Sequence, residues 1–324
     1  MTRWRSDMRA IVMHQTGGPE ALKLEDVPVP EAIPGQVLVR IEAIGVSHTE
    51  AALRGGVFPS PAPLPAVFGL EATGVVTAIG DGVDPALAGR RVVVMSPSMG
   101  SYAEYMAVTA AAVTEIPGSI SSQDAVAVAN FGAVALCLLR AARLTGSETV
   151  LVEVAAGGVG GYLTQLAHQF GAKRVIGTAG SQAKRDYALG IGADEVADHA
   201  DPAWTAKLTE GGIDVVFESL SGDTPGRLLP ALTPGTGRIL LYGLLQGPPA
   251  VTPRDLLTRG LTLTGCGGPA WLDRVQAARA DVFDLVVAER LTPRIDAVLP
   301  LEEAAEAHRR FDARAAMGKI VLTP

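Results

Sequence analysis

Cysteine is scarce in this sequence of 324 residues, and positive charge is in the minority. The two cysteines, Cys137 and Cys266, are far apart, so they cannot form a four-cysteine zinc site, and their rarity is typical of a protein from a reducing cytosol. Lysine and arginine number 27 against 34 acidic residues. The resulting net charge of −7 argues against nucleic acid or an anionic membrane as the main partner.

Long apolar runs suited to a membrane are also missing. The longest uncharged stretch, 154–172, is interrupted by glycine, glutamine and histidine, and the next, 125–139, is shorter than the roughly 20 residues that a spanning helix needs. The N-terminal MTRWRSD is not followed by an apolar segment, so no signal peptide is predicted. We therefore expect a soluble, cytoplasmic protein.

Composition and hydrophobic patterning indicate two domains that differ in secondary structure. Apolar residues make up 48% of the chain, enough for large cores, and its length suits two domains of about 150 residues. Residues 8 to about 120 read as strands and turns: apolar Val37, Val39 and Ile41 alternate with polar side chains, the period of a half-buried strand. The Gly- and Pro-rich stretch 55–69 is predicted to be a surface loop.

From Ser121 onward, the sequence predicts alternating helices and strands. A helix over about 122–144 is followed by strands at 149–155, 174–178, 213–217, 238–242 and 261–264, with helices between the first four. Such alternation indicates a parallel sheet covered by helices on both faces. After Pro269 we expect a helix, a strand near 294–299, a helix from Glu302 and a last strand over 319–323.

A glycine-rich turn joins the first of these strands to its helix. Glycine lets the backbone N–H groups at a helix N-terminus approach a pyrophosphate closely, and the run lies between strand and helix, the context that gives the motif meaning. Ala155 stands where the first glycine of the fingerprint usually falls. We predict a dinucleotide site that includes Gly157, Gly158 and Val159.

The end of the second strand indicates which nicotinamide cofactor binds. Proteins that bind NAD usually carry an acidic residue there to hold the ribose 2′-hydroxyl, but this chain has Ala179, preceded by Thr178 and followed by Ser181 and Lys184. A carboxylate would repel a 2′-phosphate, whereas hydroxyls and cations bind it. We therefore predict NADPH, although Lys184 and its neighbour Arg185 can also be read as ordinary solvated helix charges.

The stretches GVSHTEAALRGG, VFGLEATGVV, VLVEVAAGGVGG and GKIVL, with others over most of 8–324, resemble the zinc-independent quinone oxidoreductase branch of the medium-chain dehydrogenase/reductase superfamily. This resemblance implies an α/β protein with a GroES-like β-barrel catalytic domain, residues 1–121 and 268–324, and a doubly wound Rossmann NADPH-binding domain, residues 122–267. It also implies an active site in the cleft between them and a homodimer joined through the Rossmann sheet edges.

The resemblance also allows a test for zinc. Zinc-dependent members carry Gly-Val-Cys-His and Gly-His-Glu, where this chain has Ser47 in place of the cysteine and Leu70 in place of the histidine, before Glu71. Two ligands that Zn²⁺ favours are therefore missing, and no metal site is expected. Without a Lewis acid, the expected reaction is hydride transfer from NADPH to a quinone or an activated, carbonyl-conjugated alkene.

The same resemblance assigns the remaining candidate residues. Quinone reductases of this type have Asn and Asp where this chain has Ser47 and Glu50, and tyrosines can stand at Ala52 and Phe58, so the pocket departs from the pattern. The candidate catalytic residues are Ser47, His48, Glu50 and Asn130, with Ser47 and His48 as donors to a carbonyl oxygen. The alternative for His48 is an exposed loop histidine or a core cap. Further residues expected near the cofactor are Asn130, His199, Tyr242, Gly243, Leu244, Cys266 and Arg314.

Two questions remain open at the level of sequence. Glu153 is a carboxylate within the first Rossmann strand, where it either points into the cleft or pairs with Arg174. The function also has two alternatives: an enoyl reductase acting on a carrier-bound thioester in a biosynthetic pathway, and a non-catalytic NADPH-binding protein.

Overall fold

A computed structural model describes residues 7–96, 98–314 and 316–324. The chain divides into two compact units: unit 1 comprises the residues up to Asn130 together with Arg279–Pro324, and unit 2 comprises Phe131–Ala278. Both boundaries fall inside long helices. The first lies nine residues after the limit of 121 expected from the sequence, and the second lies eleven residues after the expected limit of 267.

The described residues form 16 strands and 8 α-helices. The strands are β1 Asp7–Met13, β2 Leu22–Pro28, β3 Gln36–Val46, β4 Ala66–Val67, β5 Glu71–Ile79, β6 Arg91–Met95, β7 Tyr105–Thr109, β8 Val113–Glu115, β9 Thr149–Val152, β10 Arg174–Ala179, β11 Glu195–Asp198, β12 Val215–Glu218, β13 Arg238–Leu241, β14 Thr262–Gly265, β15 Ile295–Pro300 and β16 Lys319–Thr323. The helices are α1 His48–Arg54, α2 Ser122–Ala142, α3 Gly158–Ala167, α4 Gln182–Gly190, α5 Thr224–Leu228, α6 Pro253–Arg259, α7 Pro269–Val287 and α8 Ala304–Asp312.

Unit 1 is built on two sheets. A three-stranded sheet has the order β2-β1-β4, and a seven-stranded sheet has the order β15-β16-β3-β5-β6-β8, with β7 also paired to β3. In β3, Val37, Val39 and Ile41 are buried while Arg40 is exposed, which confirms the predicted alternation. The C-terminal β16 pairs antiparallel with β3, so both ends of the chain contribute to one core, which includes Ile11, Phe68, Val94 and Ile320.

Unit 2 is a parallel six-stranded sheet with the order β11-β10-β9-β12-β13-β14. Its central strands are rich in Val, Ile and Leu and buried on both faces, as in sheets covered by helices. The order reverses direction between β9 and β12, because the chain adds β10 and β11 on one side of β9 before it crosses to the other side. The doubly wound fold class expected from the sequence is confirmed.

The structure also contains elements that the sequence reading missed. Helix α1 lies within the region predicted as strands and turns, β11 adds a sixth strand to unit 2, and α6 precedes β14. The stretch 55–69 is largely exposed, as expected of a surface loop, but it ends in buried Phe68 and Gly69.

Helix α2 is long and apolar enough to cross a membrane when judged by length and composition alone. However, 72% of the 18-residue window that meets these criteria is buried inside the protein, which is typical of a core helix in a globular fold.

Candidate functional site

The glycine-rich turn of unit 2 leaves no room for side chains. Strand β9 ends at Val152, Gly157 is the N-cap of α3, and the helix begins at Gly158. A Cβ atom on Gly160 would lie 2.2 Å from the carbonyl oxygen of Val154, and one on Gly158 would lie 2.5 Å from the ring of Phe131. Glycine is therefore required for α3 to pack this closely against the turn after β9 and against α2.

This turn has the chemistry of an anion site. The first N–H groups of an α-helix have no partner within the helix, and the helix dipole places partial positive charge at the same end. Gly157, Gly158 and Val159 supply that end of α3 at the carboxyl end of β9, where phosphates bind in folds of this type. The geometry fits the pyrophosphate site predicted from the sequence.

The turn is tied to the neighbouring strand by Thr178. Val154 has a φ of 52°, an uncommon conformation for a β-branched residue, and its N–H donates to Oγ1 of Thr178 at 3.0 Å. The same Oγ1 lies 3.1 Å from Nδ1 of His199. Thr178 thus joins the strained turn after β9 to the residue that follows β11.

The carboxyl end of β10 carries no acidic side chain at Ala179, which is buried. Ser181 is the N-cap of α4, and its hydroxyl accepts from the N–H of Lys184 at 3.4 Å. The structure therefore brings Ser181 and Lys184 together beside β10. Asp198, which the sequence reading did not single out, lies at the end of the adjacent β11 and forms an ion pair with Arg185 at 2.7 Å.

The segments that follow β13 and β14 lie at the same carboxyl edge of the sheet. The backbone passes closely at Gly243, where a Cβ atom would lie 2.3 Å from the carbonyl oxygen of Ser219. Leu244 is exposed, and Tyr242 is half-buried. Cys266 is buried beside Leu241, and burial raises the pKa of its thiol to about 11, so it packs as a neutral thiol.

Glu153 does not pair with Arg174, which was one of the two alternatives left open by the sequence. The Arg174 guanidinium binds Glu195 at 2.6 Å. Glu153 instead accepts from the N–H groups of Ser219 and Leu220, beside a second buried carboxyl group on Glu218. This pairing is long-range in sequence, and no local pattern indicated it.

In unit 1, Ser47 and Glu50 form a capping box at the start of α1. The N–H of Ser47 donates to Glu50 at 2.7 Å, and the N–H of Glu50 donates to the Ser47 hydroxyl at 3.4 Å. The other oxygen of Glu50 accepts from the N–H of Leu70 at 2.8 Å. Glu50 is completely buried, and this burial raises its pKa to about 7 against the opposing effect of Lys319. Its carboxyl group therefore holds the loop that carries Ser47.

The remaining unit 1 candidates are spread over three elements. His48 is exposed at the first turn of α1, with its ring 5.1 Å from that of Phe311 in an edge-on contact. Asn130 is half-buried in α2, and Arg314 is exposed just after α8.

The position corresponding to a zinc ligand in the related sequences is occupied by an ion pair. Glu71 accepts from Nζ of Lys319 at 2.5 Å, and both side chains are buried. A Cβ atom on Gly45 would lie 2.5 Å from Cε and 2.9 Å from Nζ of Lys319, so the absence of a side chain there makes room for the lysine. A cation already neutralises Glu71, and Ser47 and Leu70 are not metal ligands of the usual kind. No group of three or more His, Cys, Asp or Glu suited to a metal ion occurs among the described residues.

Comparison with known proteins matches both units. Residues 33–118 match the model of the alcohol dehydrogenase GroES-like domain, and residues 158–286 match that of the zinc-binding dehydrogenase family. The zinc in the second description does not fit the side chains around Glu71.

Individual relatives cover nearly the full chain. A quinone oxidoreductase of Sus scrofa is 33% identical over 97% of both chains, and a 2-haloacrylate reductase of a Burkholderia species is 33% identical over 97% of this chain and 98% of that one. The crystal structure of Escherichia coli quinone oxidoreductase complexed with NADPH has a TM-score of 0.86 and 29% identity, covering 98% of this chain and all of that one.

Proposed function

The chain belongs to the quinone oxidoreductase branch of the medium-chain dehydrogenase/reductase superfamily, and we propose that it is an oxidoreductase that transfers hydride from NADPH to a quinone or a carbonyl-conjugated alkene. The relatives that reduce quinones or haloacrylate support this class of acceptor. Both acceptors carry a carbonyl or carboxyl group that takes up negative charge as hydride arrives.

The ion pair of Glu71 and Lys319 is the main structural support for this substrate class. Alcohol oxidation in zinc-dependent relatives needs a Lewis acid to stabilise the alkoxide. Here the ammonium group of Lys319 neutralises the one retained carboxylate, so the residues do not fit that metal. A quinone or an activated alkene needs no such metal, because its own conjugated system accepts the electrons.

NADPH supplies the hydride, and residues of unit 2 have the chemistry to hold it. The N-terminus of α3 suits the pyrophosphate, and the end of β10 suits the 2′-phosphate: Ala179 offers no repelling charge, while Ser181, Lys184 and His199 offer donors. We assign Arg314 to the same phosphate, and Asn130, Tyr242, Gly243, Leu244 and Cys266 to the nicotinamide half.

Reduction of a quinone to a hydroquinone and reduction of an enone each take up one hydride and one proton. We assign the stabilisation of the developing oxyanion to Ser47 and His48. The Ser47 hydroxyl accepts from the N–H of Glu50, which leaves its own proton available for donation. Glu50 acts as a positioning residue, because its carboxyl group fixes the backbone of Ser47 and Leu70.

Steady-state oxidation of NADPH against a panel of quinones, enones and simple alcohols tests the proposal. We expect turnover with quinones or enones in the presence of a chelator, and none with NADP⁺ and simple alcohols. Ser47→Ala should lower kcat more than it raises the KM for NADPH, because the hydroxyl acts on the oxyanion and not on the cofactor phosphates. Turnover of alcohols alone would contradict the proposed substrate class.

A further inference from the structure

Two buried carboxyl groups meet at the centre of the unit 2 sheet. Strands β9 and β12 are parallel neighbours, with Val152 paired to Phe217, and Glu153 and Glu218 are the next residues along the two strands. Both side chains have 0% exposure. They lie where the strand order reverses, the place at which folds of this type bind their ligands beyond the carboxyl ends of the strands.

Backbone donors satisfy one oxygen of each carboxyl group. Oε2 of Glu153 accepts from the N–H groups of Ser219 and Leu220 at 3.0 and 3.3 Å, and Oε1 of Glu218 accepts from the N–H of Ser221 at 2.6 Å. The pair therefore organises the turn 219–221, in which Ser221 has a φ of 63°. This strained turn lies close to the segment after β13. A Cβ atom on Gly243 would collide with the carbonyl oxygen of Ser219.

The two remaining oxygens are acceptors that lack a donor. Oε1 of Glu153 and Oε2 of Glu218 have no hydrogen-bond donor among the described residues, and the two carboxyl groups are close enough to influence each other's pKa. A buried polar atom without a partner is costly, and two adjacent buried carboxylates repel each other. One proton placed between these oxygens satisfies both atoms.

The electrostatic environment favours retention of that proton at neutral pH. Burial raises the pKa of both carboxyl groups, and burial together with the neighbouring Glu153 carboxylate raises that of Glu218 to about 9. The other ionisable groups nearby do not supply this proton. Burial raises the pKa of Tyr242, which directly follows β13, so that phenol stays neutral, and His199 is separated from the turn after Glu153 by Thr178.

We propose that Glu153 and Glu218 are positioning residues that share one proton, and that the protein binds NADPH tightly only while it retains this proton. This inference rests on the proposed function, because it assigns a role to the floor of the NADPH site. Loss of the proton would place two negative charges beneath a cofactor that carries pyrophosphate and 2′-phosphate groups. It would also replace the attraction between the two carboxyl groups that anchor the turn 219–221 by repulsion between two carboxylates.

Linkage sets the size of the expected effect. If the complex requires the proton, each pH unit above the pKa of the pair in the free protein weakens NADPH binding by up to about tenfold. Below that pKa the affinity is independent of this group. The cofactor does not contribute in this range, because a phosphate monoester has lost its second proton above a pH of about 7.

The test compares the NADPH dissociation constant at pH 8 and pH 10 by nicotinamide fluorescence. We expect it to rise by about tenfold in the wild-type protein. In Glu218→Gln the amide NH₂ takes the place of the carboxylic proton and cannot be lost, so the ratio of the two constants should fall to near one. Glu195→Gln, which removes an exposed carboxylate of the same sheet, should keep the wild-type ratio. Equal ratios in wild type and Glu218→Gln would overturn the proposal.

Two measurements on the wild-type protein need no variant. Infrared spectroscopy at pH 7 should show the C=O band of a buried protonated carboxylic acid, and calorimetry at pH 9.5 in buffers of different ionisation enthalpy should show proton uptake on NADPH binding. Absence of either signal would also refute the shared proton. Failure to bind NADPH at any pH would instead contradict the proposed function, whereas pH-independent binding contradicts only this inference.

Discussion

Nζ of Lys319, on the last strand of the chain, lies 2.5 Å from Oε2 of Glu71, 248 residues earlier, and both side chains are almost completely buried. This ion pair joins β16 to β5 within unit 1, next to the carboxyl group of Glu50. It gives a structural reason for the departure from zinc chemistry, and it makes Lys319 a key residue for the stability of unit 1.

Removal of one partner of this pair should be strongly destabilising. Lys319→Met leaves the Glu71 carboxylate buried without its cation, which typically costs about 3–5 kcal/mol of unfolding free energy. The double variant Lys319→Met, Glu71→Gln removes both charges and should recover a substantial part of this loss. Urea unfolding of the wild type, both single variants and the double variant measures the coupling. Additive effects in this cycle would mean that the two side chains do not interact as described.

The purified protein should contain no stoichiometric zinc and should keep its activity in chelator. The reason is the donor set: Ser47 and Leu70 do not offer a thiolate and an imidazole, and Lys319 already neutralises Glu71. Elemental analysis after dialysis, with a zinc-dependent alcohol dehydrogenase as the positive control, provides the measurement. One zinc ion per chain, lost together with activity on chelation, would disprove the zinc-free mechanism.

Cofactor selectivity should depend on the end of β10. Lys184→Ala removes a charge-assisted contact worth roughly 1.5–3 kcal/mol and should weaken NADPH binding by about 10- to 100-fold, with little change for NADH. Ala179→Asp should reverse the preference, because a carboxylate repels the 2′-phosphate and binds the ribose hydroxyl of NADH.

Fluorescence titration of each variant with both cofactors checks this prediction. Lys173→Ala removes an exposed lysine just before β10 and is a suitable control. If Lys184→Ala weakens NADPH and NADH equally, the lysine does not contact the 2′-phosphate, and the assignment of that pocket is wrong.

We predict a twofold dimer, because β14 is an edge strand of the unit 2 sheet. It is the last strand in the unit 2 sheet, and its partner on the inner side is β13. The N–H groups of Thr262 and Cys266 donate inward to β13 and its flanks, so the N–H of Gly265 points toward the open edge, where a second copy can pair.

Light scattering at micromolar concentration should therefore give the mass of a dimer. Gly265→Pro removes an outward N–H at a position where a Cβ atom meets no neighbour, so it should yield a folded monomer. Gly190→Ala, at the exposed end of α4 in the same unit, places a Cβ atom where it meets no neighbour and is a control for nonspecific effects. A wild-type monomer would contradict the edge-pairing model.

Local patterns predicted the elements that depend on local physics. The period-two alternation of β3 and the glycine turn before α3 are confirmed, because burial on one face and steric demand at a turn act over a few residues. Helix α1 was missed even though Ser47 and Glu50 form a capping box, a signal that lies in the sequence itself. The four-residue β11 was missed because its side chains are only partly buried and show no clear period.

The amino-acid sequence alone determined the doubly wound class, the position of the glycine-rich turn before α3 and the absence of an acidic residue at Ala179. Only the tertiary structure decided the partners of the buried charges. Glu153 meets Glu218 across 65 residues, and Glu71 meets Lys319 across 248, since strands distant in the chain become neighbours in a sheet. A buried charge needs a partner close in space, and the strand order, which no local pattern encodes, determines which partner it finds.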